Sequence, residues 1–159
     1  MARVYLETSF FSACVTTRTD VESAFWRRCS LEWLKTQRRR HEVFISSEVI
    51  AELSIETFVR SQEALEFTVG IGSVPITAEV LGLARVLVDE KVMPGPSLAG
   101  DAVHVAAATF HGIEYLLSWN VKHLANENKK THLANVCLKV GRVPPAIVTP
   151  ELLWEAEYE

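Results

Sequence analysis

The sequence predicts an α/β fold built on a parallel sheet. Short apolar, β-rich runs recur along the chain, and longer segments of helical period lie between them. No internal repeat, low-complexity tract or linker interrupts that alternation. The runs are VYL at 4–6, VFIS at 43–46, VPI at 74–76 and YLLS at 115–118, with AIV at 146–148 as a weaker fifth. The expected architecture is a central parallel sheet of four to five strands flanked by helices. It takes residues 1–159 as one domain with its core at about 4–153.

The helices follow in order. Thr8 and Ser9, just past the first run, read as helix caps. Asp20 can cap a helix whose stripe is Val21, Ala24, Phe25, Cys29 and Trp33. The basic residues Lys35, Arg38, Arg39 and Arg40 suit the negative end of its dipole. Ser47 can cap a helix over 48–54, and another over 57–69 stops at Gly70. The Gly70-Ile71-Gly72 pair is therefore a helix stop rather than a phosphate loop. Thr77 can cap 78–91, and Ser97 can cap 98–110, which ends before Gly112. The polar stretch 122–140 divides into two shorter helices ending at Gly141. Thr149-Pro150 is a cap followed by proline at the first helical position.

Composition narrows the function. With 48% hydrophobic residues and four Trp in 159, the chain has the apolar surface to offset its conformational entropy, which excludes disorder. No apolar stretch approaches the roughly 20 residues of a membrane span. The start, MARVYLETSFF, has no basic segment leading into a long apolar one, so no signal peptide is expected. Cys14, Cys29 and Cys137 are odd in number and unpatterned, which favours a reducing cytoplasm over a disulfide or zinc framework. Sixteen basic against twenty acidic residues gives a net charge of −4, which argues against a protein that merely coats nucleic acid.

In open α/β sheets ligands bind beyond the carboxyl ends of the strands, so the polar groups that follow each run matter most. Glu7, Thr8 and Ser9 follow the first run. Glu48 and Glu52, four apart on one helix face, follow the second, and Ser118, Trp119 and Asn120 end the fourth. Asp101 sits in the nearly all-apolar segment SLAGDAVHVAAATF, one turn past the expected cap at Ser97. A carboxylate there is expected to be buried and hence paired or metal-bound. Gly100 beside it permits close approach of a phosphate or a backbone. Carboxylates gathered from several strand ends suit Mg²⁺ or Mn²⁺. Such an ion serves in-line hydrolysis of a phosphodiester. No Ser or Cys nucleophile stands with a base.

YLETS, FISSEVIAELS, GDAVHVAAAT, YLLSWNVKHLAN and PPAIVTPELL, in that order over nearly the whole chain, resemble the PIN-domain family, closest to its VapC-like toxin branch. The resemblance implies a Mg²⁺- or Mn²⁺-dependent endoribonuclease leaving 5′-phosphate and 3′-hydroxyl ends, a cognate antitoxin and a homodimer. It assigns Glu7, Glu52 and Asp101 to the metal, and Asn120 to a position that is often a fourth acid. Ser118 stands where the family frequently has a hydroxyl near the metal. Two departures stand out. The family usually has Asp at position 7, and at Asn120 and His123 many members carry further acids. They favour one ion in the free protein, and they keep open a second reading, a PIN-like module that binds RNA or a protein without cutting it.

Other candidates have a plainer alternative beside the functional one. Glu48 is a first-turn acid or a substitute for Glu52, and Thr8 and Ser9 are caps or site hydroxyls. His104, one turn past Asp101, is a core histidine, an orienting group or an RNA contact. Lys122 is a solvated lysine or a phosphate contact at the rim. Trp119 is core or a base-stacking surface. A phosphoacceptor receiver-like domain lacks its acidic pair after the first run.

Overall fold

The computed structural model describes residues 1–55 and 57–156. Glu56 and the last three residues of the expected 1–159 domain lie outside the described residues. Five parallel strands form one sheet in the order β3-β2-β1-β4-β5. They are β1 (Arg3–Leu6), β2 (Glu42–Ile45), β3 (Gly72–Ser73), β4 (Tyr115–Leu117) and β5 (Ala146–Val148). Around them lie α1 (Thr8–Val15), α2 (Val21–Glu32), α3 (Ser47–Leu53), α4 (Ser61–Glu66), α5 (Ala78–Asp89), α6 (Asp101–Phe110), α7 (Val121–Leu124) and α8 (Glu127–Lys139).

β1 is central. Val4 pairs with Val43 on one side and Tyr115 on the other, so Val4 and Tyr5 lie between two backbone ladders, and with Leu6 they are completely buried. α1 packs against α2, α3 and α4, while α5 packs along α6. Every residue of α6 from Ala102 to Thr109 is buried, as its all-round apolar sequence predicts. Among the described residues no helix is long and apolar enough to cross a membrane.

Four expectations need correction. The third strand is Gly72–Ser73, not 74–76, because Pro75 has no N–H for the ladder; Val74 still donates to Ile45 O at 2.8 Å. The helix expected over 57–69 is regular only over Ser61–Glu66 and is capped by Phe67, not Gly70; Gly70, at φ 83°, closes the turns that follow. On α2, which Asp20 caps as expected, only the far end of the apolar stripe is buried: Cys29 and Trp33 lie inside, but Val21 is 88% and Phe25 39% exposed. Ser23, Cys29 and Ser30 turn inward, because the Trp119 indole fills that space and donates from Nε1 to Ser30 Oγ at 2.9 Å. Finally, α6 begins at Asp101 instead of residue 98. Gly100, at φ 78°, is the cap position, and residues 97–100 are bends.

Leu117 ends β4 and is fully buried, and its carbonyl accepts the Glu7 N–H at 3.0 Å. Leu117→Ala keeps that backbone bond but opens a cavity beneath the site. It is expected to cost about 2–5 kcal/mol, read as a lower urea midpoint at unchanged slope.

Candidate functional site

From β1 the chain runs outward to β2 and β3, and from β4 it runs to β5 on the other side. The sheet therefore changes direction between β1 and β4, the place where open parallel sheets leave a crevice. Glu7 leaves β1 there, and Ser118 leaves β4.

Glu7 is 3% exposed and is itself the cap of α1. Its extra methylene lets the carboxylate fold back over the helix, so that Oε2 accepts the Ser9 N–H at 3.0 Å. The Ser9 hydroxyl and the Ser118 hydroxyl, the latter at 2.8 Å, donate to the same oxygen. Thr8 and Ser9 are thus not the caps, and their hydroxyls are released for the site. Ser9 Oγ accepts the Trp119 N–H at 2.8 Å, and Ser118 Oγ accepts the Asn120 N–H at 2.9 Å. These bonds tie the ends of β1 and β4 together. Oε1 of Glu7 has no hydrogen-bond partner among the described residues.

α3 brings two further acids. Ser46, rather than Ser47, caps it. Glu48 and Glu52 meet α6 one turn apart. Glu48 Oε1 accepts the Gly100 N–H at 3.0 Å, and Glu52 Oε1 pairs with His104 Nε2. Thr8 Oγ1 also donates to Glu52 Oε1, at 2.6 Å, which leaves Oε2 without a hydrogen-bond partner among the described residues. Ligating atoms of Glu7, Glu52 and His104 all lie within 4.8 Å of one another.

His104 is completely buried, and Tyr5 holds its other nitrogen: Tyr5 Oη lies 2.7 Å from Nδ1 and 2.7 Å from Ser46 Oγ. Burial alone would lower the imidazole pKa. The hydrogen bond to Glu52, together with the charges of Glu7, Glu52 and Glu48, outweighs it and raises the pKa above the ordinary 6.5. Burial would raise the Glu52 pKa, but the His104 bond and charge and the Thr8 bond hold it below the ordinary 4.5. Tyr5 and Ser46 escaped the sequence reading because a strand tyrosine looks like core. The signal was that a buried phenol needs a polar partner.

The remaining candidates fall around this cluster. Asp101 is half-buried in the first turn of α6, where the helix dipole favours an acid, and it lies outside the group of Glu7, Glu52 and His104. Its expected burial rested on the helix start that the structure moves. Asn120 is exposed, and its side chain makes no capping hydrogen bond to α7. Lys122 is exposed on the next turn. Trp119 is 7% exposed and lies against Trp26, with centroids 5.3 Å apart and 15° between planes. That packing, with its N–H on Ser30, places Trp119 in the wall rather than on the surface.

Solved structures share the fold that carries this site. A chain of VapBC2 from Rickettsia felis, in a crystal bound to a DNA fragment from their promoter, matches with a TM-score of 0.54 at 18% identity, covering 75% of this chain and 89% of that one. A chain of FitAcB from Neisseria gonorrhoeae matches with a TM-score of 0.54 at 12% identity, covering 93% and 98%. The fold is PIN-like. No family model matches the sequence, and no curated protein does. What these chains share at such identities is the fold.

The donor set fits a small, oxygen-preferring dication. Glu7 Oε1 and Glu52 Oε2 are the unbonded oxygens of carboxylates whose other oxygens are anchored. His104, bonded to Glu52 through Nε2 and to Tyr5 through Nδ1, has both ring nitrogens engaged and orients Glu52.

The pair also sets a stability profile. The raised His104 pKa stabilises the fold fully below 6.5, a contribution lost as pH rises through the folded-state value. The lowered Glu52 pKa stabilises it above 4.5, a contribution lost as pH falls through its folded-state value. The melting-temperature gap between wild type and His104→Asn, measured with chelator present, is therefore expected to be widest between the two ordinary values, 4.5 and 6.5, and to narrow as pH rises beyond them.

Proposed function

We propose that this chain is a divalent-metal-dependent endoribonuclease of the PIN toxin type, held in check by a cognate antitoxin. The observation that carries this reading is the pair of anchored carboxylates, Glu7 and Glu52, each with one unbonded oxygen at the direction change of the sheet. The shared fold with chains of VapBC2 and FitAcB supports it, as does the PIN resemblance of the sequence. A homodimer in the cytoplasm completes the proposal.

Mg²⁺ or Mn²⁺ bound by Glu7 and Glu52 would neutralise the phosphodiester and the charge that develops as it is hydrolysed. The chain's own residues prepare that place. Ser9 and Ser118 fix Glu7, while Thr8 and His104 fix Glu52. Tyr5 and Ser46 fix His104 in turn. Asp101, half-buried in the first turn of α6 and outside that group, is the third carboxylate of the proposal, carried by the PIN resemblance of the sequence. The Asn120 amide and Lys122, both at the rim, meet the RNA.

One observation favours the second reading, a PIN-like module that binds without cutting. His104 and Thr8 already hold Oε1 of Glu52, so the chain itself anchors this carboxylate. Cleavage of several single-stranded RNAs in Mn²⁺ decides between the two. Wild type is expected to cut, Glu52→Gln and Asp101→Asn are each expected to lose at least about 100-fold, and Thr8→Ala about 10-fold. Equal cleavage by wild type and the acid variants overturns the nuclease reading. Binding without cleavage by any of them establishes the alternative.

A further inference from the structure

The chain between α1 and α2, with the first turns of α2, holds basic groups that the carboxylate site does not use. A cleft of about 460 Å³ there is lined by Arg18, Arg27 and Arg28, with the hydroxyls of Thr16, Thr17 and Thr19; Glu32 is its one acid. A second cleft of about 170 Å³ shares Thr16 and Arg18 with it, and is bordered also by Trp26, Ser9 and Asn120. The two together run from the Glu7-binding hydroxyl of Ser9 outward to Arg27 and Arg28. None of the three guanidiniums has an ion-pair partner among the described residues, although other arginines of the chain do. Trp26 is half-buried in the wall, stiffened by its stack on Trp119. Unpaired cations, hydroxyls and a rigid indole along one groove are the elements that bind single-stranded nucleic acid: charge tracks the backbone, and the aromatic ring takes a base.

We infer that this groove is the single-stranded RNA track of the chain. Arg18 and Arg27 take successive phosphates, Trp26 stacks a base, and the strand is led past Asn120 to the carboxylates. The inference rests on the ribonuclease reading for its purpose, yet it concerns different residues and a different step. It also answers the charge problem of an acidic chain that must hold RNA, since the bases that matter are collected in one place. An acidic peptide is the competing occupant of a basic groove. The continuity of this one with the Glu7 and Asn120 site favours RNA.

Anisotropy of a short fluorescein-labelled single-stranded RNA, titrated with the full chain in EDTA so that nothing is cut, tests it. The Arg18→Gln/Arg27→Gln double variant is expected to bind about 10-fold more weakly, and its salt dependence to flatten by about 1.4 in log–log slope, two phosphates' worth. Trp26→Ala is expected to lose about 10-fold and Trp26→Phe to recover most of it. Arg85→Gln, whose side chain pairs with Asp89 on α5, is the control and is expected to change nothing. Unchanged binding by the double variant, an equal loss in the control, or tighter binding of poly-glutamate than of RNA overturns the groove. Cleavage separates this from the nuclease reading. Arg-dependent binding without cleavage in Mn²⁺ leaves the groove and removes the nuclease. Cleavage by the double variant within twofold of wild type removes the groove and leaves the nuclease.

Discussion

A single buried imidazole is what lets this chain gather acids at the middle of its sheet. Glu7, Glu48 and Glu52 converge on His104 from the ends of two strands, and removing any of these groups from water is costly unless its charge is met. His104 meets it from α6, through a hydrogen bond to Glu52 and through the field it shares with Glu7 and Glu48. Tyr5, on the central strand, fixes the ring from the other side. The contact therefore joins three layers, the sheet through Tyr5, α3 through Glu52 and α6 through His104. Without it, Glu52 would lose its tie to α6, and His104 its tie to α3.

The second constraint is the topology. The opposite routes out of β1 and β4 bring Glu7 beside Ser118, and the hydroxyls of Ser9 and Ser118 lock the glutamate to both strand ends. A glutamate in place of the shorter acid that the PIN resemblance leads one to expect is accommodated because its extra methylene is spent in the bend over the α1 amide of Ser9. The site has carboxylates with one oxygen pinned and one unbonded, which is a prepared state rather than a loose acidic patch.

Much of this was legible beforehand, and the failures have physical causes. β1, β2 and β4 were readable because a strand with neighbours on both sides must be apolar, and the edge strand β5 only through its short run AIV, which gave the weakest signal. β3 was displaced because a two-residue strand of Gly72 and Ser73 is held by backbone bonds alone, with no side-chain signature. The inner face of α2 was legible only at Cys29 and Trp33; at its start small polar residues lie inward to make room for Trp119, and apolar periodicity cannot register a partner distant in sequence. The group of Glu7 and Glu52 was visible from strand ends and helix spacing. The role of His104 was not, since it depends on a pairing across 52 residues. Asp101 was expected to be buried because the start of α6 was read three residues early, and a helix opened by a Gly cap at positive φ carries no Ser or Thr signal.

The acidity of the chain is accordingly local in meaning. Part of it is collected around His104, and the arginines of the α1–α2 groove are left to face solvent. The claim that joins these observations is that Glu7 and Glu52 hold a divalent ion while His104 remains bonded to Glu52. An anomalous difference map from crystals soaked in Mn²⁺ tests it most directly. A peak bonded to oxygens of both Glu7 and Glu52, with His104 still paired to Glu52, is the expected result. A peak on His104 Nε2, or no peak between the two glutamates at saturating Mn²⁺, would contradict it.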